Sequence, residues 1–286
     1  MANSIAKASA YVPILDEIYK NASLTADLDG APELARQGAN ANELIIPKMS
    51  LQGLADYDRS SGYVSGDVTM TNETVTCNFD RGRMFTVDNV DNMDTAGLAF
   101  GRLAGEFIRT KVVPELDAFR FAAYASAEGI STVAGAALAT GDDVISALRA
   151  AVNTMDEDEV PFEERYLYIT PTLLGLVQDL DTTKSREVMA NFAKVVKVPQ
   201  TRFYTAIDQT ADAAGGYTKN EGAKNINFMI IHKPAVIQYE KHVAPKIITP
   251  EQNQTADAYK FGYRNVGIAD VYENKVAGIY LHKSTT

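Results

Sequence analysis

Carboxylates are the most abundant reactive groups in this chain: 37 Asp and Glu stand against three histidines and one cysteine. Asp88, Asp91 and Asp94 recur at the density of a calcium loop. Such a loop needs an oxygen ligand at its third position and glycine at its sixth. Here the third position is Val90 and no glycine follows, so Asp91 with Asp94 reads as a helix entry. Asp156-Glu157-Asp158-Glu159 reads as a solvated turn after a helix. His232, His242 and His282 are scattered and lack metal-ligand spacing. Cys77 lies in a Thr-rich alternating stretch with no adjacent base to lower its pKa, the setting of an inert thiol. Gly101 and Gly105 are spaced for close helix packing. The nucleophile elbow, the phosphate loop, the dinucleotide turn and the zinc-helix motif are all missing. The reading is therefore a non-enzyme with no catalytic, cofactor-binding or metal residue. A hydrolase with paired carboxylates stays open as an alternative, weakened for sugars because the chain has no Trp to build an aromatic platform.

Composition narrows the class further. The 286 residues carry 27 Lys and Arg, a net charge of −10. That balance argues against a dedicated binder of nucleic acid or anionic membrane, since phosphate neutralisation needs clustered cations. A single cysteine excludes an intrachain disulfide. The longest apolar runs, such as Phe228–Ile231, fall far short of the ~20 residues of a membrane span. Met1–Ala10 has one Lys and no apolar core of a secretion signal. A soluble acidic protein made in a cytoplasm is expected.

The elements follow from period and punctuation. Residues 1–42 read as a short helix (Ile5, Tyr11, Ile14, Leu15, Ile18) and then an arm with little to bury, which must borrow stability from elsewhere. Leu44–Met49 reads as a strand whose Pro47 suits an edge. Val68–Phe79 reads as a long strand, Asp80-Arg81-Gly82 as a turn and Met84–Val87 as a strand. The outer part, 51–76, looks poor in large apolar residues and is expected to project. Ala96, Ala99, Leu103, Phe107, Leu116, Phe119 and Tyr124 mark one long helix, bent at Pro114, with Arg102 and Glu106 as a supporting pair. Burial of Leu103 on that stripe predicts a cost of about 3 kcal/mol or more for Leu103→Gly. Residues 142–240 read as a compact α/β unit with strands at Arg165–Ile169, Arg202–Ala206 and Asn227–His232. In the tail, Tyr259, Phe261 and Tyr263 alternate, and Val266–Tyr272 is expected to pair with Val276–His282 around Glu273-Asn274-Lys275.

Several stretches resemble tailed-bacteriophage major capsid proteins: Asp56-Tyr57-Asp58-Arg59, Gly62-Tyr63, Gly66-Asp67-Val68-Thr69, Asp80–Phe85 and Val87-Asp88. The continuation through Thr95-Ala96-Gly97 and Phe107–Asp117 is similar to the same group. The resemblance implies the α+β fold named after phage Hong Kong ninety-seven, with an arm (1–42), a projecting hairpin or E-loop (43–88), a peripheral domain with a spine helix (89–141 and 241–272), and an axial domain (142–240 and 273–286). It implies a subunit that assembles with itself, as pentamers and hexamers, into an icosahedral head around double-stranded DNA held non-specifically. A separate scaffolding protein, a portal and a decoration protein would be partners, with no cofactor and no membrane. The place would be the virion, after assembly in the host cytoplasm. An encapsulin-like compartment shell is the related alternative. With arm and hairpin filling the residues ahead of the spine helix, no cleaved scaffolding segment is expected at the N-terminus. The phage that names the fold joins a hairpin lysine to a neighbour's asparagine. Asn253 could serve as the carboxamide, but from Ser50 to Arg83 the cations are Arg59, Arg81 and Arg83, which cannot act as nucleophiles. Lys48 stands at the hairpin base, so a non-covalent shell is expected.

Overall fold

The computed structural model describes residues 23–30, 36–37, 43–94, 98–133, 135–180, 182–212 and 214–285. The helix expected over the first twenty residues, and Thr95–Gly97, lie outside these. Strand β1 (Arg36–Gln37), β2 (Glu43–Leu51) and β3 (Val68–Thr76) form one sheet in that order. β1 pairs with β2 only at Leu44 and Ile45, so Pro47, which has no N–H to give, lies beyond the edge that β1 covers.

The break after β3 corrects the sequence reading. One strand does not run to Phe79, and Asp80–Gly82 is not a turn. β4 is Phe79–Asp88, and the chain turns at Cys77-Asn78. The Asn78 side chain fixes that break: its Nδ2 donates to the Ala269 carbonyl at 2.8 Å and its Oδ1 accepts from the Ala269 N–H at 3.1 Å. Gly82 belongs inside β4, opposite Arg264, because a Cβ there would come within 2.9 Å of the Tyr263 carbonyl oxygen. The stretch 43–88 is thus a two-stranded ribbon followed by a strand of a different sheet.

The spine helix runs from Leu98 to Phe107, through a widened turn at Ile108–Val112, and on from Val113 to Ala125. Pro114 explains the wide turn. It cannot donate to the carbonyl four residues back, and the Val113 N–H reaches five residues back to Ile108 instead. The expected single helix is present, its irregularity falling in the turn before Pro114. The expected Arg102–Glu106 pair is replaced: Glu106 takes both its bonds, 2.8 and 2.9 Å, from Arg109.

β5 (Ser131–Val133) leads to a helix at Gly141–Glu157, entered through a capping box between Thr140 and Asp143. β6 (Arg165–Ile169), helices at Pro171–Leu180 and Thr183–Met189, and β7 (Lys194–Lys197) follow. A small hairpin, β8 (Ile207–Gln209) and β9 (Tyr217–Lys219), precedes β10 (Ile226–His232). The long β11 (Val236–Ile248) and β12 (Ala258–Val271) come next, and β13 (Ile279–Lys283) ends the described chain. Arg202–Ala206 is not a strand. Gln200–Arg202 is a short helical turn, closed by Gln200 donating to the Phe203 carbonyl at 2.7 Å, and only Tyr204 makes a bridge, to Asn225.

Two sheets carry the cores. One has the order β5-β13-β10-β6-β7 and is covered on both faces. Leu167, Ile169, Phe228 and Ile230 face the helices, while Tyr168, Met229 and Ile231 face Phe121, Tyr124, Phe203 and Leu28. Double coverage explains why Phe228–Ile231 is apolar without alternation. The other sheet, β11-β12-β4, lays Phe79, Phe261 and Tyr263 against Ile108, Val113 and Leu116 of the spine helix. Here the alternation read at Phe261 and Tyr263 holds. The tail does not form the expected hairpin, because β12 lies between β11 and β4 while β13 lies between β10 and β5. The chain crosses from one sheet to the other through short helical turns at Glu273–Gly278.

Candidate assembly surface

The register of β2 and β3 assigns every ribbon side chain to a face. Leu44↔Val75, Ile46↔Glu73 and Lys48↔Thr71 lie on one side; Pro47↔Asn72, Met49↔Met70 and Leu51↔Val68 lie on the other. On the first side Leu44, Ile46 and Val75 are buried against Ile237 of β11 and Ile268 of β12. Lys48 extends this fastening, with its ammonium paired to Glu273 and, at 3.2 Å, to Glu73. The hydrogen bond to Glu273 holds the Lys48 pKa above its ordinary value.

The opposite side is apolar toward the tip. Met49, Leu51, Val68 and Met70 are all more than half exposed. With Leu54, Tyr57, Tyr63 and Val64 they make eight of the twelve large apolar residues exposed among those described. The sequence reading of an outer ribbon poor in apolar groups is corrected by this: the residues are dispersed along the chain, and only the register gathers them. The tip itself is shaped. Asp58 accepts from the Ser60 N–H and hydroxyl, Asp58 and Gly62 bridge, and the Tyr57 and Tyr63 rings stand 4.9 Å apart. Nine paired positions carry this tip about 30 Å from the ribbon base.

The arm segment behaves differently from the expectation. Residues 23–30 do not wait for a neighbour. Leu28 is buried, and Asp117, fully buried on the spine helix, collects Ser23 Oγ (2.8 Å), Leu24 N (3.1 Å), Thr25 N (3.4 Å), Thr25 Oγ1 (2.9 Å) and Arg202 Nη1 (3.2 Å). Arg120 alongside donates to Thr25 Oγ1 and Glu240, and Gln238 donates to the Thr25 carbonyl. A carboxylate with so many donors is a structural anchor. No spacing rule in the sequence flags Asp117, because its partners come from positions 85 to 94 residues away.

The groups singled out in the sequence do not converge. His282 stacks on Phe228 with ring centroids 4.8 Å apart and meets Asn227. His232, four residues beyond Phe228 on β10, lies roughly 13 Å along that strand, and His242 belongs to the other sheet. Burial pushes both His232 and His282 below the usual histidine pKa. Among the described residues no His, Cys, Asp or Glu grouping has the makings of a metal site. Cys77 packs beside Leu44 and Val75. At the entry of the helix Asn89–Asp94, Asp88 accepts from the Val90 N–H and Asp91 stands in the first turn; the side chain of Asp94 lies outside the described residues. Asp156 is more than a solvated acid: it pairs at 2.7 Å with Arg165, whose side chain is buried and also donates to the Val160 and Pro161 carbonyls. Asn253 caps the β11–β12 turn, donating to the Ala258 carbonyl.

No family model matches the sequence, and no curated protein matches it either. The structure is similar to known ones over nearly its whole length. The capsid structure of cyanophage P-SCSP1u aligns with a TM-score of 0.59 at 14% identity, covering 88% of this chain and 86% of that one. The mature capsid of bacteriophage PhiM1 gives 0.59 at 13% identity, covering 86% and 82%. A virus-like particle from Pyrococcus furiosus gives 0.59 at 10% identity, covering 94% and 95%. The chain has the α+β fold of these tailed-phage capsid structures.

Proposed function

We propose that this chain is a major capsid protein, which assembles with itself into the icosahedral head enclosing the double-stranded DNA of a tailed phage. The observation that carries this reading is the ribbon: one side fastened to its own subunit, the other an apolar strip running to a tip about 30 Å from the ribbon base. A monomer gains nothing from such a strip, and a second subunit covering it would. The whole-length likeness to capsid folds supports the same conclusion. The role is structural rather than enzymatic, a reading that the likeness to capsid folds supports. The shell is non-covalent, built of pentamers and hexamers, and is completed with a scaffolding protein, a portal and a decoration protein, in the virion after assembly in the host cytoplasm.

Within this reading the chain divides into arm (1–42), hairpin, peripheral and axial parts. The pairing of β4 with β12 favours taking 79–88 into the peripheral part, and the pairing of β11 favours beginning its return at 236. The pairing of β5 with β13 favours starting the axial part at 131, so that it is 131–235 and 273–286. The likeness to the Pyrococcus particle favours an encapsulin-like compartment as second reading.

Negative-stain microscopy of the purified chain tests the proposal. Hollow particles or rings of five and six support it; a small discrete species that turns over a substrate overturns it. Particles from the native source that hold protein cargo instead of duplex DNA favour the compartment.

A further inference from the structure

We propose that Arg81 is a positioning residue that fixes the angle between the β11-β12-β4 sheet and the five-stranded unit, and through it the curvature of the shell. The second half of this statement rests on the capsid reading; the first does not.

The spine helix passes from one core to the other. Val113 and Leu116 pack with the peripheral sheet, Phe121 and Tyr124 with the five-stranded one, and Phe119 touches both. On one side of this crossing the two units share a core, in which Val236, Ala269 and Val271 are buried with Tyr168, Met229 and Ile231. A groove of about 1420 Å³ opens between the spine helix, β4 and the β8–β9 hairpin, lined in part by Phe85, Leu103 and Phe107. A tilt that pivots on the shared core changes the width of this groove. With the pivot packed, what holds the open side is the set of polar bonds that span the groove.

Arg81 makes those bonds. From β4 its Nε donates to Glu115 of the spine helix at 2.8 Å, and its Nη2 donates to the carbonyls of Thr210 at 2.9 Å and Gly216 at 3.2 Å. Three elements thus meet on one planar, always charged fork. Arg83, two residues on along the same face, adds a bond to the Ala214 carbonyl at 3.3 Å. The strap they hold is preformed. Thr210 N–H bonds the Gly216 carbonyl at 2.9 Å, Asp212 accepts from Ala214 N–H at 2.8 Å, and Gly215 and Gly216 take φ of +64° and +83°, which side chains resist. Glu115 lies between the widened turn of the helix and its crossing at Phe119.

The test uses the full chain. Hydrogen exchange over 210–217 in the unassembled protein is expected to quicken at least tenfold in Arg81→Ala. Arg264→Ala, which removes an exposed pair to Asp80 on the same two strands, should leave it unchanged. Arg81→Lys keeps the charge but cannot span Glu115 and both carbonyls, so it should loosen the strap as well; it replaces Arg81→Ala if that variant fails to fold. Assembled particles of the loosened variants should show a broadened range of diameters. Unchanged exchange at 210–217 overturns the latch. Quickened exchange with one wild-type diameter overturns its control of curvature. Failure of the wild-type chain to form rings or particles with its scaffolding protein present overturns the capsid reading, and exchange then judges the latch by itself.

Discussion

The Thr25 hydroxyl donates a 2.9 Å hydrogen bond to Asp117, a carboxylate with no exposure to solvent that lies 92 residues further along the chain. The arm is tied to the spine helix at this point, and Arg202 ties the five-stranded unit to the same oxygen pair. Asp117→Ala strips the acceptor from five donors. It should destabilise the fold by about 3–5 kcal/mol, the range for breaking a buried charged network, as read by denaturant unfolding. A loss below about 1 kcal/mol would mean that water replaces the carboxylate, against its burial.

The ribbon strip predicts a separation of folding from assembly. Met49 and Met70 face each other on the exposed side. Met49→Glu with Met70→Glu should shift unfolding by no more than about 0.5 kcal/mol, as for other exposed positions, yet abolish particles in negative stain. Deleting 51–76 is the blunter version, and it also removes Glu73 and Val75 from the fastening side. Normal particles from the double variant would show that the strip is not the contact.

Leu103 is half-buried, packed at the margin of the peripheral core rather than within it. Leu103→Gly should cost about 2–3 kcal/mol from lost contact and helix propensity together, less than the figure expected for a fully buried stripe. A thermal melt identical to wild type would remove Leu103 from the packed face.

Lys48 is committed to Glu73 and Glu273 of its own chain, and a pKa above the ordinary value keeps its amine protonated. Mature particles boiled in detergent should therefore give one band near 31.1 kDa. A ladder of linked oligomers would show that Lys48 leaves these partners.

His282 is buried, and desolvation lowers its folded pKa below 6.5. The unfolded chain then binds more protons than the folded one as pH falls. Its contribution is whole above pH 6.5 and is lost as pH drops through the folded value. His282→Gln should flatten the stability–pH curve below 6.5; an unaltered slope would place that dependence elsewhere, His232 being next.

Local pattern made some elements legible and left others invisible. The stripe through Phe107 and Leu116, the strand Arg165–Ile169 and the extended run up to His232 are properties of neighbouring residues, and they stand where the period put them. The error at Asp80–Gly82 has a different origin. Gly82 looks like a turn residue, but its small size serves a close approach to β12, 181 positions away. The pairing of β13 with β10 rather than β12, the gathering of acceptors on Asp117 and the reach of Arg81 are equally non-local. For the candidate surface, sequence foretold a projecting ribbon but not its apolar side, since a change of one in the pairing would reverse every assignment.

Under the proposed shell function, that dependence on pairing acts as quality control. A ribbon slipped by one residue would turn Leu44 and Ile46 outward and Met49 and Leu51 toward Ile237 and Ile268. Such a subunit would lose its hold on its own body and its contact for a neighbour in a single error. Under the capsid reading, a copy slipped by one is left out of the growing lattice, because it loses both contacts together.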